Sequence, residues 1–167
     1  MLTAPQKTHH APYHITLSSA LSECVQHTVI DLLALLPKTS VNEVQPSTLN
    51  TVVESEQKGA ATQIIDNDLA ITIKNLVDGR GLACPMPLLK TKVALRDVAV
   101  GEALYVIATD PNSQADITAF CRQSQTSNTV SLDILLNTAT DSVIADDELK
   151  QNVDTIFHFI ITKRDSN

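Results

Sequence analysis

The 167-residue chain has no tryptophan, only three phenylalanines and two tyrosines, four glycines and three cysteines. So few aromatic rings leave nothing from which to build a base-stacking platform. A formal net charge of −7 also opposes a phosphate backbone, so direct binding of nucleic acid is not expected. Cys24, Cys84 and Cys121 are odd in number and far apart, which argues against a disulfide framework. The absence of any Cys-x-x-Cys pair removes the usual thiolate spacing for a metal. Neither a metal nor an organic cofactor is therefore expected, and a reducing, cytoplasmic compartment is the default. The longest strongly apolar stretch, Val29 to Leu36, contains Asp31 and is far too short to span a bilayer. Residues 1–19 hold one lysine and no continuous apolar run, so neither a signal peptide nor a membrane anchor is expected.

Apolar residues make up 43% of the chain, enough for one packed core. The charge is uneven. Residues 1–70 carry three Lys and seven Asp/Glu (−4), residues 71–126 six Lys/Arg and five Asp/Glu (+1), and residues 127–167 three Lys/Arg and seven Asp/Glu (−4). An acidic partner would therefore dock on the middle segment.

Residues 1–68 read as an N-terminal extension. A polar tail with His9, His10 and His14 precedes one amphipathic helix over about 16–36, built on Leu21, Val25, Val29, Leu32, Leu33 and Leu36. Ser18 or Ser19 stands at its start and Pro37 at its end. Residues 38–67, rich in Thr, Ser, Asn and Gln, read as a linker. Residues 69–167 form the second unit. Leu69 to Val77 is rich in β-branched residues and predicts a strand, with a turn at Asp78–Gly81. A helix follows Cys84, with Met86, Leu89 and Val93 at i, i+3 and i+7 as its apolar face, and Lys90, Lys92, Arg96 and Asp97 as its wet side. Ala103 to Ala108 is a short apolar strand. Asp110-Pro111 opens a second helix with Ser113 and Asp116 spaced as a capping box and Ile117, Phe120 and Cys121 on one face. Val130 to Leu136 alternates as a strand, residues 137–152 read as a long acidic connection, and Ile156 to Thr162 alternates again with His158 opposite Phe157, Phe159 and Ile161.

The expected fold class is therefore α+β: a two-layer α/β sandwich with a β-α-β-α-β-β core, a mixed four-stranded sheet, and both helices on one face. The other face would be left open, with Ile156 and Ile160 on it. Three readings of the N-terminal helix stay open: covering that face, self-association, or a marginal helix on a floppy leader.

Cys84 carries the chemistry. Pro85 and Pro87 suit the first turn of a helix, where a missing N–H costs nothing, so the helix starts directly after the cysteine. A thiol facing unpaired amides and the positive end of a helix dipole is expected to ionise more readily. Arg80, on a Gly-flanked turn four residues earlier, would add positive charge. Such a thiolate has no second cysteine nearby in sequence. It can accept one group and hand it on. The plainer reading of Cys84 is a small hydrophobe at a helix start. For Cys121, beside Phe120, and for Cys24, packing is the better reading. The set Lys90, Lys92 and Arg96 is either a solvated helix face or a dock for an acidic partner beside Cys84.

The run Val77 to Pro87, VDGRGLACPMP, resembles the signature of the TusA (SirA-like) sulfur-carrier family, a Cys-Pro-x-Pro (CPxP) element after a strand and an Arg-Gly-Leu turn. Asp110-Pro111, Asp116-Ile117 and Phe120-Cys121 resemble that family's second helix. The resemblance implies a small α/β sandwich in which Cys84 becomes a persulfide, with Arg80, Pro85 and Pro87 as supporting positions. It implies a cysteine desulfurase or rhodanese-like sulfur donor and an acceptor protein, for example in a relay toward 2-thiouridine in tRNA. The chain would then be a sulfurtransferase-like relay component rather than a free-standing enzyme. The alternative is a non-catalytic regulatory or interaction module on the same fold. Residues 1–68 and the 137–152 segment have no counterpart in the family pattern.

Overall fold

A computed structural model describes residues 13–37, 41–45, 70–125, 130–143 and 153–165. The elements run β1 (Tyr13–Leu17), α1 (Glu23–Ala34), β2 (Val41–Gln45), β3 (Ala70–Gly79), α2 (Met86–Ala94), β4 (Glu102–Ala108), α3 (Asn112–Ser124), β5 (Val130–Val143) and β6 (Val153–Asp165). All six strands lie in one mixed sheet of order β2-β1-β3-β4-β6-β5. The first four strands in that order are parallel, and β6 and β5 close it antiparallel.

The expected order β-α-β-α-β-β is present from β3 to β6, but among the described residues the sheet has six strands rather than four, and a third layer is present. Ile15 and Leu17 alternate as strand residues, both buried, and pair β1 in parallel with β3. They do not begin the helix. That helix starts at Glu23, capped by Ser22, whose Oγ accepts from the Val25 amide at 3.5 Å. Part of the expected linker is β2. The expected connection after residue 136 is also shorter than its composition implies, because β5 runs on to Val143, paired with β6. The tail histidines His9 and His10, and residues 144–152, lie outside the described residues.

Alternation along the strands sends side chains to two cores. On one face Ala103, Tyr105, Ile107, Ile156 and Ile160 pack with Val29, Leu32 and Leu33 of α1. The face that the β3–β6 unit leaves open is thus covered from within the chain, and the apolar stripe of α1 is occupied there. On the other face Leu104, Val106, Phe159 and Ile161 pack under α2 and α3 through Leu95, Ile117 and Cys121. A register shift between Ile73 and Asn75 lets one strand serve both cores. Before it, Ile71 and Ile73 face α1; after it, Val77 faces α2.

A histidine on the strand face opposite Phe157, Phe159 and Ile161 is expected at the surface or partly covered, and His158 is neither. It is fully buried, with Nδ1 2.7 Å from the Tyr105 hydroxyl and Nε2 2.7 Å from Thr140 Oγ1. Burial drives its pKa down to about 4 and the Tyr105 phenol's up. The unfolded chain therefore takes up the His158 proton first. The stability tied to the neutral ring is complete above the ordinary histidine pKa and is lost as pH falls toward 4. Between pH 7 and pH 5 this one group should lower stability by about 2 kcal/mol. Urea midpoints of the wild type and His158→Gln at both pH values check it, since the glutamine variant should show a correspondingly flatter dependence. Equal pH dependence in the two proteins would refute it.

Candidate functional site

β3 and β4 are neighbouring parallel strands that end in register, Gly79 opposite Ala108, so the turns leaving them lie side by side. This brings two distant stretches of sequence together, 79–87 and 108–116. Gly79 has to be glycine: a Cβ there would sit 2.8 Å from the Ile107 carbonyl oxygen. Gly81 takes φ +71, a left-handed turn that glycine adopts without strain. The second turn then clamps the first. Thr109 Oγ1 accepts from the Gly81 amide at 2.9 Å, and Asp110 Oδ2 from the Cys84 amide at 2.5 Å. The other Asp110 oxygen accepts from Asn112 N at 2.9 Å. The Cys84–Pro85 peptide is cis, Pro85 stands at the N-cap position of α2 without a side-chain capping bond, and Pro87 is buried at its first turn.

Cys84 is half-buried. Its Sγ donates a hydrogen bond to Asp116 Oδ2 on α3. The local helix-start argument therefore has the wrong sign for this thiol. Hydrogen bonding to Asp116, then desolvation, then the negative charges of Asp116 and Asp110 push its pKa up to about 11. Arg80 does not offset them. Its guanidinium is held by Asp78 through three contacts of 2.7 to 3.2 Å, and Asp78 is shifted downward in turn. Ser113 is buried and Asp116 faces the thiol, so the two do not form a capping box. The role of Asp116 is a long-range one, 32 residues from Cys84, and only its place in the second-helix pattern hinted at it.

The apolar series on α2 is reversed relative to expectation. Pro87 and Thr91 are the buried positions. Met86, Leu89 and Val93 point to solvent at 46%, 47% and 59% exposure. They form a strip starting next to Cys84, with Lys90, Lys92 and Arg96 interleaved and exposed. Lys92 Nζ lies 4.9 Å above the Phe120 ring, which anchors one of these charges against α3. A cavity of about 690 Å³ opens on the α1 side of the Arg80–Gly81 turn, with Leu32, Asp31, Thr109 and Ile156 in its wall. Cys84 is not part of its lining. Cys121 is buried as expected, its thiol pushed up to about 12 by burial, and Cys24 is exposed on α1. Among the described residues no His, Cys, Asp or Glu cluster could hold a metal ion, and no helix is long and apolar enough to cross a membrane.

Residues 75–131 match the model of a family described as sulfurtransferase TusA. This segment is TusA-like. It spans the end of β3, the Cys84 turn, α2, β4 and α3, so it contains both halves of the clamp. Two curated relatives match part of the chain. The sulfur carrier protein TusA of Allochromatium vinosum is 46% identical over 48 residues, 29% of this chain and 63% of that protein. YrkF of Bacillus subtilis is 45% identical over 49 residues, 29% of this chain and 26% of that protein. The chain thus covers less than two thirds of either relative. The TusA-like segment excludes β1, α1 and β2, the part that adds the third layer.

Proposed function

We propose that the protein is a sulfur carrier. Cys84 receives sulfane sulfur from a cysteine desulfurase or rhodanese-like donor, holds it as Cys84–S–SH, and yields it to an acceptor protein. Formation of 2-thiouridine in tRNA is one route such an acceptor would serve. The carrier unit is residues 69–167, acting in the cytoplasm, with Arg80, Pro85 and Pro87 shaping the turn that presents the sulfur. The observation that carries this reading is a half-exposed thiol at the foot of an exposed apolar strip with interleaved cations. A thiol on open surface suits exchange between two proteins, because both sulfurs must approach in line. The strip supplies the dehydrated contact such docking needs.

Incubating the full chain with a cysteine desulfurase and cysteine should raise its intact mass by one sulfur atom. No gain would overturn the reading. Docking has its own test. Leu89→Asp and Val93→Asp alter exposed side chains and should leave the melting temperature unchanged, while slowing loading from the protein donor at least about tenfold. Loading from a small persulfide should stay the same. A second reading, an interaction module that uses the surface without transferring sulfur, is favoured by the hydrogen bond that ties the Cys84 thiol to Asp116. The mass measurement separates the two.

A further inference from the structure

We infer that Asp116 is a positioning residue that sets the direction of sulfur transfer, holding discharged Cys84 as a hydrogen-bonded thiol and repelling the charge of the loaded form. This rests on the carrier reading above and concerns how the site lets its sulfur go.

The groups around the sulfur are unusually one-sided. From α3, Asp116 accepts the thiol proton's hydrogen bond. From the turn after β4, Asp110 holds the Cys84 amide. From the turn after β3, Arg80 is engaged by Asp78. Among the described residues, the charges acting on the thiol are thus the two carboxylates of Asp116 and Asp110. A reactive thiol is ordinarily built the other way, with cations or free amides around it. Such an arrangement suppresses attack by the empty carrier on stray electrophiles. It also weighs on the loaded state.

The exchange with an acceptor thiol, R–SH, is Cys84–S–SH + R–SH giving Cys84–SH + R–S–SH. The acceptor sulfur bonds to the terminal sulfur, the Cys84 Sγ–S bond breaks with its electron pair going to Sγ, and Sγ takes up a proton. The sulfane sulfur passes across with no net oxidation. A persulfide is more acidic than its parent thiol, because the second sulfur spreads the negative charge. The loaded form therefore ionises and places that charge beside Asp116 and Asp110. In the discharged form the same Asp116 oxygen receives an S–H donor. One side of the equilibrium carries a like-charge repulsion and the other a charge-assisted hydrogen bond, so transfer to the acceptor is favoured.

The test equilibrates the full-length wild type, Asp116→Asn and Asp116→Glu with a mixture of glutathione persulfide and glutathione at pH 7. Intact mass reads the loaded fraction on Cys84, and circular dichroism checks the fold. Asp116→Asn keeps the shape and removes the charge, so its exchange constant should move toward the loaded protein by about tenfold or more. Asp116→Glu restores the charge and should lie within about threefold of wild type. The pH profile of alkylation at Cys84 supplies an independent readout. Its midpoint should fall in Asp116→Asn from about 11 toward the ordinary thiol value. A folded Asp116→Asn protein with the wild-type loaded fraction would overturn the inference and leave the carrier reading standing. A wild type that takes no sulfur from either small persulfide or protein donor would overturn both.

Discussion

Cys84→Ser should take up no sulfur under conditions in which the parent chain gains one atom of it. The expected effect is all or none, because the serine hydroxyl does not form a persulfide, and the chain carries its own controls. Cys121 is 1% exposed on the inner face of α3, and burial pushes its thiol up to about 12, so it offers no route for a protein donor. Cys24 is exposed, but it lies on α1, outside the residues that match the TusA family. Cys24→Ser should therefore retain full uptake. Intact-mass measurement on the three proteins decides the matter, and loading of Cys84→Ser to the parental level would move the chemistry to Cys24. The substitution is mild for the fold, since Cys84 is half-buried and its main-chain bond to Asp110 stays.

Removing residues 1–37 should abolish cooperative unfolding. Seven apolar side chains of that segment are buried: Ile15, Leu17, Leu21, Val29, Leu32, Leu33 and Leu36. At about 1.5–3 kcal/mol each, their burial contributes roughly 10–20 kcal/mol as an upper bound. Even halved for the cost of ordering the segment, that rivals the roughly 5–15 kcal/mol by which a domain is stable at all. The truncated chain would leave Ile71, Ile73, Tyr105, Ile107, Ile156 and Ile160 facing water. Thermal unfolding followed by circular dichroism, with a dye that reports exposed apolar surface, measures the effect. A fragment 38–167 melting as sharply and as high as the parent would show that α1 is dispensable to the sheet beneath it.

The parts of the molecule written in local chemistry were legible in the sequence. A short apolar run marked β4, alternation marked β5 and β6, and Asp110-Pro111 marked the start of α3. Pro85 and Pro87 placed Cys84 at the mouth of a helix, which α2 confirms. What failed was whatever depended on the partner of a correctly recognised element. Helical spacing joins Met86, Leu89 and Val93 into one face but is silent on whether that face meets a core or solvent. Here Thr91, able to return its own hydroxyl to the Pro87 carbonyl at 2.8 Å, takes the inner side. The acidity of Cys84 was argued from its nearest neighbours along the chain, whereas the decisive group comes from another helix. The brief alternation at Ile15 and Leu17 is too short to stand out ahead of a long amphipathic run, and only pairing with β3 makes it a strand.

The double fastening of the Cys84 turn to Thr109 and Asp110 has a mechanical consequence. Cys84 stands on a fixed post rather than at the tip of a swinging arm. It moves with the rigid edge of two adjacent strands. On the carrier reading proposed above, giver and taker would have to visit the same landing in succession, the departure of one being a condition for the arrival of the other.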